Sequence, residues 1–235
     1  MVKKSPFEAV YRQLGARFDI FYDWLMPADF GDIEAENNAI KNHCAAVDLS
    51  CFGRISVKGG SNKEVLSSIF KYRSGSLALD RWIWAKTTKN GKDLLCRIVR
   101  TNGDCIVITS PGQNEMVMEL LTVEGGEAIS VSDLTEKTGM LGLYGPAAAK
   151  SVRGLLPFEF DSLEIGDAAQ LTFFMMSFTL LRGSWLGQDG LELVCPASAG
   201  AMAAGAIVKY RNKHNITPAG MESLSRIFAD VKPPV

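Results

Sequence analysis

The stretch Trp82-Ile83-Trp84-Ala85-Lys86-Thr87-Thr88-Lys89-Asn90-Gly91-Lys92-Asp93-Leu94-Leu95-Cys96-Arg97-Ile98-Val99-Arg100-Thr101-Asn102-Gly103-Asp104-Cys105-Ile106-Val107-Ile108-Thr109 holds the clearest local pattern in the chain. Three apolar or β-branched runs, Trp82–Thr88, Asp93–Arg100 and Cys105–Thr109, are separated by Asn90-Gly91 and Asn102-Gly103. Asn-Gly tolerates positive φ at both central positions of a tight turn, which makes it the strongest short-range hairpin signal. These runs predict a three-stranded antiparallel meander.

Working outward, Asp32 caps a helix running to about Cys44, and a strand follows at Arg54–Lys58, closed by Gly59-Gly60. After the meander, Ser110-Pro111-Gly112-Gln113 reads as a capping box with proline in the first turn, starting a helix to about Leu121. Strands are expected at Ala128–Val131 and Met140–Tyr144, then a helix from Ala147 to about Leu155 behind the Gly145-Pro146 break. Leu171–Leu181 reads as one buried strand, too short for a membrane span and interrupted by Thr172, Ser177 and Thr179. Leu191–Cys195 is a further strand. An Ala-rich helix ends near Lys213, Thr217-Pro218 starts a last short helix, and Val231–Val235 is a proline-containing tail. Hairpins mixed with helices define an α+β class with mainly antiparallel sheets. We expect two such subdomains, residues 1–125 and 126–235, sharing an interface.

At 235 residues the chain can bury a sizeable core. Its formal net charge of −1 opposes non-specific attraction to nucleic acid or to an anionic membrane. The five cysteines (Cys44, Cys51, Cys96, Cys105, Cys195) are odd in number, scattered and without a CxxC pair, so they read as reduced, buried thiols. With only His43 and His214 besides, no metal site is expected. No apolar signal region follows Lys3-Lys4, and a cytoplasmic protein is expected.

Arg182-Gly183-Ser184-Trp185-Leu186-Gly187-Gln188-Asp189-Gly190-Leu191-Glu192-Leu193 sets a Gly-rich turn between two apolar runs, where a backbone can approach a ligand closely. It resembles Arg-x-Gly-Tyr-x-Gly-Glu-Asp-Gly-x-Glu-x, a signature of the glycine-cleavage T-protein family of folate-binding aminomethyltransferases. Other segments resemble that family in order: Leu14–Arg17, Asp23–Pro27, Asp48–Gly53, Leu143–Pro146 and Gly220–Asp230. The resemblance implies the two folate-binding subdomains around a central cleft. The family's C-terminal barrel-like domain would begin where this chain stops, so a protein partner replacing it is a further expectation.

What the resemblance implies for the site is a set of positions with altered chemistry. Phe52, Thr109, Trp185, Gln188, Glu192 and Arg226 fall where the family binds tetrahydrofolate. The family's Asp-Asp pair falls on Leu94 and Leu95, and leucine can neither accept a proton nor orient a charged nitrogen. Asp93 shares a strand face with Leu95 and is the substitute acid on offer; a solvated Asp beside the Asn90-Gly91 turn is the plainer reading. Gln188 replaces a glutamate that holds the pterin ring, and Gln offers one acceptor and one donor group where a carboxylate accepts twice. Glu222 reverses the charge of a family arginine. Trp185 could stack on a flat heterocycle or simply fill a core, and Arg226 could meet an anionic tail or sit on a helix surface.

Two functions follow from the resemblance. One is a tetrahydrofolate-dependent aminomethyl or methyl transferase with an altered site. The other is a non-catalytic folate- or heterocycle-binding protein or partner subunit. The latter includes a second branch of the superfamily, linked to iron–sulfur assembly, whose Lys-Gly-Cys-Tyr-x-Gly-Gln-Glu also resembles this turn, with Ser184 at the cysteine.

Overall fold

The computed structural model describes residues 1–72, 77–102, 104–153, 162–173 and 175–229. Their elements are β1 (Lys3–Lys4), α1 (Glu8–Gln13), β2 (Arg17–Phe21), β3 (Trp24–Asp29), α2 (Ile33–Asn42), β4 (Ala45–Asp48), β5 (Gly53–Lys58) and α3 (Asn62–Ile69). The meander follows as β6 (Arg81–Lys89), β7 (Lys92–Thr101) and β8 (Asp104–Thr109), then α4 (Asn114–Gly125), β9 (Ser130–Asp133), β10 (Thr138–Tyr144) and α5 (Ala148–Ser151). The remainder is β11 (Ala168–Phe173), β12 (Met176–Arg182), β13 (Gly190–Pro196), α6 (Gly200–His214), β14 (Thr217–Ala219) and α7 (Met221–Phe228).

Among the described residues, two main sheets organise the fold. One has the order β6-β7-β8-β5-β9 and is antiparallel throughout. The other has the order β11-β12-β13-β10-β4-β14, antiparallel except for the β14–β4 pair. A small β1-β3-β2 sheet lies at the amino-terminal end. The meander forms as expected: Asn90, Gly91 and Asn102 all take positive φ.

Each main sheet buries both faces, and period-two alternation sorts the side chains. On β7, Leu94, Cys96 and Ile98 enter a core with Leu66, Val117 and Leu121 of α3 and α4. The alternate residues Leu95, Arg97 and Val99 turn toward the second sheet. On β13, Leu191 and Cys195 pack in a core with α1 and α6, whereas Val194 joins the central core and Glu192 meets Arg97 there. The centre of the molecule is therefore where the inner faces of the two sheets meet.

Several expectations need correcting. The sheets do not divide the chain at 125/126: β4, before that point, pairs with β10, and β9, after it, pairs with β5. Residues 45–48 thus complete the sheet of the carboxy-terminal half. The apolar run Leu171–Leu181 is a hairpin, β11 and β12, with exposed Met175 at positive φ in its bend. Apolar composition alone does not reveal that turn, since neither Gly nor Asn marks it. Ser110 does not cap a helix. Its hydroxyl donates to Leu95 O at 3.3 Å, Gln113 N donates back to Ser110 O at 3.2 Å, and α4 starts at Asn114. Thr217-Pro218 forms β14, and α7 begins after Gly220. The expected helix beyond Ala147 is a single turn as far as Ser151; the Leu155 end and the tail lie outside the described residues.

Candidate functional site

The centre is built from β6, β7, β10, β13 and the turn between β12 and β13. Trp82 and Trp84 pair across the ladder with Val99 and Arg97, so both indoles share the face of Arg97. The turn delivers Trp185. Gly183, at φ +123, lets Trp82 lie directly on the backbone, and a Cβ there would overlap the indole. Trp82 Nε1 donates to Arg182 O at 2.7 Å, tying the meander to the turn. Ser184 holds the turn shut: its hydroxyl donates to Gln188 O at 2.9 Å and accepts from Leu186 N and Gln188 N. Arg182 and Asp189 pair across its base at 2.5 Å.

Arg97 is enclosed by this frame. Its guanidinium carbon lies 4.7 Å from the ring centroids of Trp82 and Trp185 and 5.6 Å from that of Trp84. Its Nη2 donates to Glu192 Oε2, and both side chains are 0% exposed. Glu192 Oε1 accepts from Tyr144 Oη at 2.6 Å and from Trp185 N at 3.2 Å. Arg97 Nε and Nη1 have no hydrogen-bond partner, and the indole faces stand in the place of acceptors. Burial, then the charge of Glu192, hold the Tyr144 phenol well above its ordinary pKa, so it stays a neutral donor. Phe52 and Trp84 pack on Trp185 with centroids 4.9 and 5.1 Å away.

The expected site residues are only partly brought together. Phe52, Trp185 and Glu192 meet at the centre, all buried. Thr109 is buried elsewhere, on the α4 side of its sheet with Val107, where its hydroxyl bonds Ser110 O at 3.2 Å. Gln188 is exposed at the tip of the turn. Arg226 is exposed on α7, 3.9 Å from Glu34. Asp93 is exposed beside the hairpin turn and accepts from Thr88 Oγ1 at 2.9 Å. Of the two leucines at the family's acid positions, Leu95 faces the centre and Leu94 the opposite core. Glu222 pairs with Arg17. Sequence reasoning passed over Arg97, Tyr144, Trp82 and Trp84. The signal for the first was a lone arginine inside the apolar run Leu94–Val99, at the alternate positions of β7.

Among the described residues this centre offers a reduced pterin no unengaged carboxylate oxygen. The pterin's amino and ring N–H groups need an acceptor, yet both Glu192 oxygens are already engaged and the unpartnered atoms, Arg97 Nε, Arg97 Nη1 and Trp185 Nε1, are donors. Among the described residues no three His, Cys, Asp or Glu side chains gather into a metal-binding group, and no helix is long and apolar enough to cross a membrane.

Two facing sheets with helices on their outer sides, joined through an Arg-x-x-Trp turn on a buried carboxylate, define a two-sheet α+β fold. Residues 7–229 match the GCVT N-terminal domain, and the chain belongs to that family. Aminomethyltransferase from Geobacillus thermodenitrificans is 25% identical over 94% of this chain and 62% of its own length. That from Cutibacterium acnes is 28% identical over 85% and 57% respectively. Glycine cleavage system aminomethyltransferase T from Bartonella henselae superposes with a TM-score of 0.85 at 19% identity, covering 97% of this chain and 62% of that one. A chain of heterotetrameric sarcosine oxidase from Corynebacterium sp. U-96 gives a TM-score of 0.54 at 15% identity over 77% of this chain and 91% of that one. This chain thus spans about three-fifths of the aminomethyltransferases it resembles.

Proposed function

We propose that this chain is a non-catalytic member of the aminomethyltransferase family, a subunit whose partner polypeptide carries the folate-dependent one-carbon chemistry. The observation that carries this reading is the Arg97–Glu192 pair. It fills the centre with the protein's own charge, walled in by Trp82, Trp84 and Trp185. A carboxylate already bonded to three donors and shielded from solvent is unsuited to proton transfer. Leu95, facing the same centre, offers no acid in its stead. The sarcosine oxidase match supports the subunit role, since nearly the whole of that chain, part of a heterotetramer, is covered by this fold. Five unpaired, buried cysteines support a reducing, cytoplasmic setting.

The competing reading is tetrahydrofolate-dependent aminomethyl or methyl transfer by this chain itself. It draws on the family and on Phe52, Trp185 and Glu192 meeting at one place, and it requires the Arg97–Glu192 pair to open. An assay of one-carbon transfer to tetrahydrofolate separates the two. The purified chain is expected to show no turnover above the uncatalysed rate. Transfer abolished by Glu192→Ala, in a variant that still folds, would overturn the subunit reading.

A further inference from the structure

A second concavity lies on the opposite face of the β11–β14 sheet, away from Arg97. It is a cavity of about 430 Å³ between that sheet and α6. Leu143, Leu180 and Leu193 line its floor and Ile207 its roof. Gln170 and Thr172 border it from the edge strand β11, but their side chains alternate onto the other face of the sheet, where Gln170 Oε1 accepts from Asn102 Nδ2. Among the described residues, no acidic or basic side chain lines it. Its mouth is bordered by exposed apolar side chains, Phe173 and Met202.

Protein interiors are packed to crystal-like density and seldom keep a void much larger than a water molecule. The cause here is local: α6 presents Ala203 and Ala206, short side chains, toward the leucines of the sheet. A mainly apolar concavity of several hundred Å³ has the make-up of a small-molecule site for an apolar group. A polar or anionic ligand would find no partner deep inside.

We propose that this cavity binds a single-chain amphiphile, its alkyl or acyl tail between the sheet and α6 and its polar head in solvent at the open mouth. The site is independent of the central one. Arg97 and Glu192 lie on the other face of the sheet, so loss of either reading leaves the other standing.

Calorimetric titration of the full chain with straight-chain fatty acids from hexanoate to hexadecanoate, below their micelle concentrations, tests this. One-to-one binding is expected, with affinity rising about fourfold per added methylene until the cavity is full, then levelling. Ala203→Trp and Ala206→Trp put an indole into the cavity from a half-buried helix face, and each should weaken decanoate binding at least tenfold with near-UV circular dichroism unchanged. No saturable heat at any chain length would overturn the proposal. So would affinity that climbs without levelling, as expected of adsorption to the exposed rim, or wild-type binding by the folded variants. If both variants unfold, the chain-length series decides alone. Concentration-dependent dimerisation that fatty acid does not disperse would instead assign the rim to a second copy of the chain.

Discussion

Arg97 and Glu192 sit wholly out of solvent, with one ion pair, one phenol and one backbone amide between them. Removing one partner of such a pair leaves an uncompensated buried charge and costs about 3–5 kcal/mol. Glu192→Gln keeps an acceptor for Tyr144 and Trp185 N but strands the guanidinium, so a loss of that size is expected in urea unfolding. Arg97→Met added to it removes the stranded charge, and most of the loss should return; additive losses would mean the pair is not coupled. Asp48 is a second buried acid, bonded by Ser5 and by Ser50 N at 2.9 Å. Desolvation pushes its carboxyl up to about 6, against the hydrogen bonds and Arg54, which pull it down. A folded pKa above the unfolded one means that, between about pH 4 and 6, the unfolded chain releases a proton that the folded chain keeps. Stability therefore falls as pH rises through that window, by about 3 kcal/mol for this group alone, and is flat in it above. Asp48→Asn should remove that slope from the wild-type-minus-variant difference; an unchanged pH profile would contradict the assignment. At this scale the sequence made Phe52, Trp185 and Glu192 legible, because a contiguous turn motif carries two of them. It hid Arg97, because an arginine in a β-run reads as an edge or surface residue until its partner on another sheet is known.

The meander was readable element by element, since each Asn-Gly turn encodes its own positive φ. Local codes failed where the deciding contact is distant. Ser110 and Gln113 look like a capping box, but Ser110 is drawn to Leu95 O on the neighbouring strand. The β11–β12 bend carries Met175 at positive φ, a strained position that no turn residue announces. Glycines show the same dependence on distant partners. At Gly220, before α7, a Cβ would overlap the carbonyl of Ala28 on β3, whereas at Gly60 it would meet open space. Gly220→Ala should destabilise by about 1–3 kcal/mol or more, and Gly60→Ala should leave the melting temperature within a degree or two or raise it slightly. Thermal unfolding of the two variants side by side checks this, and equal behaviour would contradict the packing of α7 on β3.

For the whole molecule, the α+β class and the family were legible from composition, hairpins and ordered motifs, and the match over residues 7–229 agrees. The division of the chain was not, because β4 crosses back to pair with β10 and no composition shift records a long-range strand pairing. That crossing matters for function. It locks residues 45–48 and 141–144 side by side within one sheet, and Tyr144 at the end of that ladder donates to Glu192 at the centre. The central claim is that this closed, self-paired centre has replaced the folate site of the fold. Isothermal titration of the purified chain with tetrahydrofolate tests it most directly. The account predicts no saturable heat up to millimolar ligand, for the wild type and for Glu192→Gln alike. One-to-one binding at micromolar ligand that Glu192→Gln abolishes would contradict it.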